Sequence, residues 1–295
     1  MIKDLKSVWV LETPENFDFV FKELDLLAFL ASVTQWATMY PESRRILFCT
    51  SNAFKYLETL EMLDLWDEVD VKVLDEPDQI NRSIFWAACK LKALRHVEAP
   101  FVVQDCDFYF KKKILDESHF EFDVIVNHLE RFTDAIFLSN HPLFIQSRIE
   151  AGLDKNEGID SYNVAFLYMK DEEFRKEYVN KAYKLIEIMS DNKELGFRMG
   201  QMHYCEQKTL FDLCSDKSLN VETLLPYHTY NEDVVHLGSL KDPTTDAERE
   251  GYAVRREEVF EIIKTSPHRE KIFKAWKINN TLKGEGTSTS LCYLK

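Results

Sequence analysis

Through its first third the chain alternates short β-like runs with amphipathic helical stretches, and this alternation restricts the fold more than any other feature. Ser7–Leu11 reads as a first strand. Asp25–Met39 carries Leu26, Leu30, Val33 and Ala37 at helical spacing and stops before Pro41. Arg45–Thr50 is a second strand, Phe54–Leu63 a helix, and Val69–Leu74 a third strand. Ile84–Val97 is a further helix, and Phe101–Gln104 a short buried strand. Strands separated by helices imply right-handed crossovers and a mostly parallel sheet.

The later pattern differs. Asp123–Asn127 and Ala135–Leu138 are short strands close together, as in an antiparallel or mixed edge. Asn163–Met169 is another strand, followed by helices over Glu172–Met189 and Gln201–Leu213 and a late strand at Val221–Leu225. Pro243–Gly251 reads as an exposed loop, and Gly284–Ser290 is polar and Gly/Ser-rich. No central linker cuts the chain, so the expectation is one large α/β domain over residues 1–283 and a flexible tail over 284–295. The first part, ending at Asp105, is Rossmann-like.

Charge narrows the partners. With 37 Lys plus Arg against 51 Asp plus Glu, the net charge is −14. Binding duplex nucleic acid requires a basic face, so no nucleic-acid partner is expected. There is no polybasic stretch for anionic lipid, no signal-peptide pattern at the start, and no run of the roughly 18 apolar residues a membrane span needs. Six cysteines without a C-x-x-C pair suit reduced thiols, and a cytoplasmic protein without a transmembrane segment is the simplest expectation.

The sharpest local feature is Phe101-Val102-Val103-Gln104-Asp105-Cys106-Asp107-Phe108, an apolar strand running straight into two carboxylates. If the extended backbone continues, the period of two puts Asp105 and Asp107 on one face. Two such charges repel, and a hard divalent cation is their natural partner. Ligands of open α/β sheets bind beyond the carboxyl ends of the parallel strands, which is where this pair falls. The plain alternative is a solvated turn.

This buried strand ending in Asp-x-Asp resembles the metal-binding motif of nucleotide-sugar-dependent glycosyltransferases of the GT-A fold. Three later segments add to the likeness, in the expected order. Ser161-Tyr162-Asn163-Val164-Ala165-Phe166-Leu167-Tyr168 resembles the family's Phe-Asn-Ala-Gly-Val strand. Glu206-Gln207-Lys208-Thr209-Leu210 is similar to the Asp-Gln-Asp-x-Leu helix start of galactosyltransferase- and glycogenin-like retaining members. Val235-His236-Leu237-Gly238-Ser239-Leu240-Lys241 resembles their His-x-x-Gly-x-x-Lys segment. The likeness is remote. Val164-Ala165 stands where Ala-Gly is usual, Glu206 replaces Asp, His236 to Lys241 is one residue short, and Asp242-Pro243 replaces Pro-Trp.

The resemblance implies a GT-A fold, a mixed sheet flanked by helices, with Asp105, Asp107 and His236 as ligands of Mn²⁺ or Mg²⁺. It implies that Lys241 reaches the diphosphate, that Asn163, Glu206 and Gln207 line the sugar side, and that Arg82 and Thr13 lie near the donor. The activity implied is transfer of a sugar from a nucleotide diphosphate sugar, by family habit a uridine diphosphate sugar. The acceptor is unknown: a glycan, a lipid-linked sugar or a protein. The Glu-Gln helix start is similar to retaining members, whereas an inverting enzyme would need a base, a role open to Glu206. Metal and lysine would stabilise charge on the departing diphosphate. Each residue has a plain alternative: a hydrogen-bonded core His236, a solvated Lys241 or Arg82, a strand-pinning Asn163, an exposed Glu206 or Gln207. A nucleotidyltransferase of sugar phosphates is a second reading, though Leu11-Glu12-Thr13-Pro14-Glu15-Asn16 lacks the Gly-rich basic loop of that class. A non-catalytic nucleotide-sugar-binding scaffold is a third.

Overall fold

A computed structural model describes residues 5–13, 19–131, 140–153, 158–190, 198–226, 233–237 and 245–285. The expected α/β architecture is observed: a seven-stranded mixed sheet flanked by helices in one domain. Its elements begin with β1 (Lys6–Leu11), α1 (Glu23–Met39), β2 (Arg44–Cys49), α2 (Ser51–Thr59), β3 (Glu68–Asp70) and α3 (Lys72–Asp75). They continue with α4 (Ala88–Leu94), β4 (Phe101–Gln104), β5 (Phe108–Phe110), β6 (Val124–Arg131), α5 (Pro142–Glu150), β7 (Asp160–Met169) and α6 (Glu172–Ser190). After these come α7 (Arg198–His203), a π turn (Tyr204–Lys208), α8 (Thr209–Asp216), β8 (Val221–Thr223), β9 (Val234–His236), α9 (Asp246–Thr265) and α10 (Arg269–Glu285).

The sheet order is β3-β2-β1-β4-β7-β6-β8. β1 to β4 pair in parallel, β7 runs antiparallel to both β4 and β6, and β8 is parallel to β6. Two reversals therefore bring the carboxyl end of β6 to the same edge as those of β1 and β4. Alternation along the strands fills both faces. Trp9, Leu11, Val102, Phe166 and Tyr168 point to the side covered by α1 and the two C-terminal helices. Val8, Phe101, Val103, Leu167 and Met169 point to the side covered by α4, α6 and the π turn. With both faces covered, β4 reads as a continuous apolar run rather than an alternating one.

Local side-chain bonds move several element boundaries. The expected strand Val69–Leu74 ends at Asp70, because the Asp70 carboxylate accepts the Val73 N–H (2.9 Å) and starts α3. The expected helix Ile84–Val97 shrinks to α4, since turns at Asn81 use its carbonyl and side chain before the helix is established. The helix expected at Phe54 begins at Ser51, capped by the Thr50 hydroxyl. Asp246–Gly251, expected in a loop, is helical. Thr245 and Glu248 form a capping box, the Thr245 hydroxyl accepting the Glu248 N–H (3.2 Å) and Glu248 accepting the Thr245 N–H (2.9 Å). The helix α10 takes in the first two residues of the expected tail, whose remainder, like Ala135–Leu138, lies outside the described residues.

The C-terminal helices are anchored on the α1 side. The buried Asn279 donates to the Phe21 carbonyl (3.2 Å) and accepts from the Tyr56 hydroxyl. Arg256 and Trp276 both bind Glu23 at the start of α1. No disulfide joins the described cysteines, and no described helix is long and apolar enough to cross a membrane.

Candidate active site

Asp105 and Asp107 come together by a route other than strand alternation. The chain turns after Gln104, closed by the Phe108 N–H on the Asp105 carbonyl (3.0 Å). Asp and Cys-Asp suit such a turn because a short acidic side chain tolerates its backbone. The Asp105 N–H is held by the Ala165 carbonyl (2.8 Å), which ties the turn to β7. Beyond it, β5 pairs antiparallel with β9, with Phe108 opposite His236, and the Leu237 N–H returns to the Asp107 carbonyl (3.2 Å). This ribbon sets the imidazole beside the carboxylates.

The His236 Nε2 lies 3.4 Å from the Asp107 Oδ2 and 4.0 Å from the Asp105 Oδ2. One ligand atom from each of the three lies within 4.8 Å of the others. Asp107 is 3 % exposed, whereas Asp105 and His236 retain access to solvent. Two carboxylate oxygens and one imidazole nitrogen fit Mn²⁺ at least as well as Mg²⁺, and the spacing lets all three reach one ion.

Lys90, which the sequence reading passed over, sits behind this cluster. Its Nζ lies 2.9 Å from the Asp105 Oδ1 and 2.8 Å from the Glu206 Oε1, and donates to the Val164 carbonyl (3.1 Å). Burial disfavours the ammonium, but the Asp105 and Glu206 carboxylates outweigh it and hold Lys90 charged, above its ordinary range. Burial lifts the Glu206 carboxyl to about 6, opposed by Lys90 and reinforced by Asp105. The signal was present in sequence: Lys90 falls among Ala88, Leu91 and Leu94, on the face that packs inward.

The other expected residues are placed as follows. Asn163 is buried and hydrogen-bonded at both ends of its amide: it donates to the Glu130 Oε1 (2.9 Å) and accepts from the Asn127 side chain (3.1 Å) and the Ala165 N–H (3.1 Å). His128 Nε2 donates to the same Glu130 oxygen (2.9 Å). Burial pushes the Glu130 carboxyl up, but His128 and Asn163 bring it down to about 2, so it stays anionic. Glu206 and Gln207, expected on an exposed or pocket-lining helix start, occupy the π turn and are both buried. Gln207 Oε1 has no hydrogen-bond partner among the described residues, an acceptor suited to a ligand hydroxyl. Arg82 pairs with Glu12 (2.8 Å) and Asp78 (2.6 Å), and the Thr13 hydroxyl bonds that of Thr50 (2.9 Å). Arg82 thus braces the end of β1, and Thr13 braces the start of α2. Lys241 lies outside the described residues.

Replacing Lys90 leaves Asp105 and Glu206 without their shared cation. Lys90→Met should cost about 3–5 kcal/mol of stability in urea denaturation at pH 7; a loss below about 1 kcal/mol would show that the bridge is not formed. Glu206 titrates higher folded than unfolded, so its contribution is fully present below pH 4.5 and is lost as pH rises through about 6. Glu206→Gln removes that titration. The stability of the variant relative to wild type, measured with chelator present, should therefore rise by about 2 kcal/mol between pH 4.5 and pH 7. A flat difference would place Glu206 in a wetter setting.

Among solved structures, the chain is similar to the galactosyltransferase LgtC in complex with donor and acceptor sugar analogues, at 12 % identity and a TM-score of 0.43, covering 90 % of this chain and 99 % of that one. It is similar to the PaToxG glycosyltransferase at 10 % identity and a TM-score of 0.39, covering 95 % and 87 %. It is similar to mouse xyloside xylosyltransferase 1 at 11 % identity and a TM-score of 0.33, covering 87 % and 93 %. No curated protein matches by sequence. Residues 2–249 match the profile described as "Family of unknown function (DUF6734)", and the chain belongs to that family.

Proposed function

We propose that this chain is a metal-dependent glycosyltransferase of the GT-A kind, moving a sugar from a nucleotide diphosphate sugar to an acceptor hydroxyl with retention. A uridine diphosphate sugar is the donor we favour, and a glycan, lipid-linked sugar or protein the acceptor. The observation that carries the reading is the convergence of Asp105, Asp107 and His236 at the carboxyl edge of the sheet, backed by the buried Lys90–Glu206 pair. A bound Mn²⁺ or Mg²⁺ would supply Lewis-acid stabilisation of charge on the leaving diphosphate. The residues that would hold it are those three.

The chain's own groups then divide the work. Lys90 keeps Asp105 aimed, and holds Glu206 at the sugar side as a fixed negative charge above pH 6, suited to an electron-deficient anomeric centre. Gln207 offers its carbonyl oxygen to a sugar hydroxyl. Asn163 acts through Glu130, which it helps to keep anionic at the same edge. Arg82 sets Glu12 at the end of β1, where the nucleotide is expected, with Thr13 next to it. Lys241 is assigned to the diphosphate on sequence grounds.

The test is donor turnover, followed by mass spectrometry across a panel of nucleotide sugars with and without Mn²⁺. The wild-type chain should hydrolyse at least one donor slowly, only with metal, and Asp107→Asn should lower that rate by at least about 100-fold without unfolding. Turnover that persists in chelator, or in Asp107→Asn at the wild-type rate, contradicts the reading. Absence of both turnover and metal-linked donor binding would leave a scaffold.

A further inference from the structure

At the π turn that carries Glu206 and Gln207 lies a second charged cluster, which includes none of the proposed metal ligands. Arg148, Lys208 and Asp212 are each more than nine-tenths buried, an unusual place for three charged side chains. Lys208, the last residue of the π turn, pairs with Asp212 one helical turn later in α8. The Arg148 Nη2 of α5 lies 3.4 Å from the Asp212 Oδ2. The same guanidinium stands 5.1 Å over the ring of Tyr204, the first residue of the π turn. The cluster therefore grips the turn at both ends.

Two neutral contacts hold the backbone between those ends. The Thr209 hydroxyl donates to the Tyr204 carbonyl (3.2 Å), and the buried Tyr178 hydroxyl donates to the Glu206 carbonyl (3.2 Å). A π turn is a rare departure from the α-helix and reverts to it unless neighbouring contacts favour the wider turn. Reversion by one residue swings the following side chains about 100° round the helix axis. That rotation would carry Glu206 away from Lys90. Buried ion clusters contribute little stability over apolar residues of similar size, and their best-attested use is to fix register.

We propose that Arg148, Asp212 and Lys208 form a positioning unit that pins the π turn and thereby holds the Glu206 carboxylate against Lys90. The functional consequence rests on the proposed reading of that site as the donor-sugar side of a glycosyltransferase. None of the three touches the reacting atoms. They act through the backbone of Tyr204–Lys208.

The experiment uses the full chain and two kinds of readout. In one variant all three charges become apolar residues of similar size, Arg148→Met, Lys208→Met and Asp212→Leu together, which relieves the desolvation cost and preserves packing. Hydrogen exchange followed by mass spectrometry should show the amides of residues 204–209 exchanging at least about tenfold faster, with the rest of the chain and the Mn²⁺ affinity unchanged. With the donor that wild type turns over, kcat should fall about 100-fold while the donor KM changes little. Lys208→Arg, which keeps the charge pair, should retain wild-type values on both readouts. If the triple variant fails to fold, Asp212→Asn serves on the same measurements. Exchange and kcat at wild-type levels in a folded variant overturn the proposal. Should wild type turn over no donor, the glycosyltransferase reading falls, and the exchange rates alone still decide whether the cluster pins the turn.

Discussion

Asp105 stands between two other carboxylates, Asp107 on one side and Glu206 on the other, at the edge of a low-dielectric core, and the repulsion within each pair is the constraint around which the site is built. Like charges at such distances either lose a charge to protonation or acquire a counter-charge. Here a counter-charge is supplied: the Lys90 ammonium neutralises the Asp105–Glu206 side, while burial, reinforced by Asp105, pushes Glu206 up to about 6. On the other side Asp107 and Asp105 face the imidazole of His236, a donor set that a divalent cation completes.

The scaffold supplies the precision this electrostatics demands. Parallel pairing of β1 with β4 and antiparallel pairing of β4 with β7 fix the turn at Asp105, because its N–H is spent on the Ala165 carbonyl of β7. The β5–β9 ribbon delivers His236 from far along the chain into register with Phe108. Opposite, the π turn brings Glu206 down onto the helix that bears Lys90. The β4–β5 turn, β9, α4 and the π turn each contribute a group, so the site forms only when the whole sheet edge is assembled. The same edge carries the Glu130–His128–Asn163 group, in which His128 and Asn163 hold the Glu130 carboxyl low.

Much of this was legible in sequence, for identifiable reasons. β4 announces itself because four apolar or amide residues run straight into Asp-Cys-Asp, and the β1–α1–β2 alternation fixes a parallel start. His236 was legible only through the resemblance, since nothing local distinguishes a ligand histidine from a core one. Lys90 was missed because a lysine in an amphipathic helix ordinarily reads as solvated; its position on the apolar face was the usable signal. The short β3 and α4 were overdrawn because Asp70 and Asn81 bond nearby backbone and cut the elements off, competition that hydrophobic periodicity does not register. The start of α9 was written in Thr245-Asp246-Ala247-Glu248, a capping box hidden behind the loop-like Pro243. The π turn has no periodic signature at all, because its cause lies in tertiary contacts of Arg148, Tyr178 and Asp212.

The central claim is that one cation belongs between the two aspartates and the histidine. Anomalous scattering from crystals soaked in Mn²⁺ at neutral pH measures this directly. The account predicts a single strong peak per chain within bonding distance of Asp105, Asp107 and His236. A peak at another acidic cluster, or those three side chains turned apart with no peak between them, would contradict it.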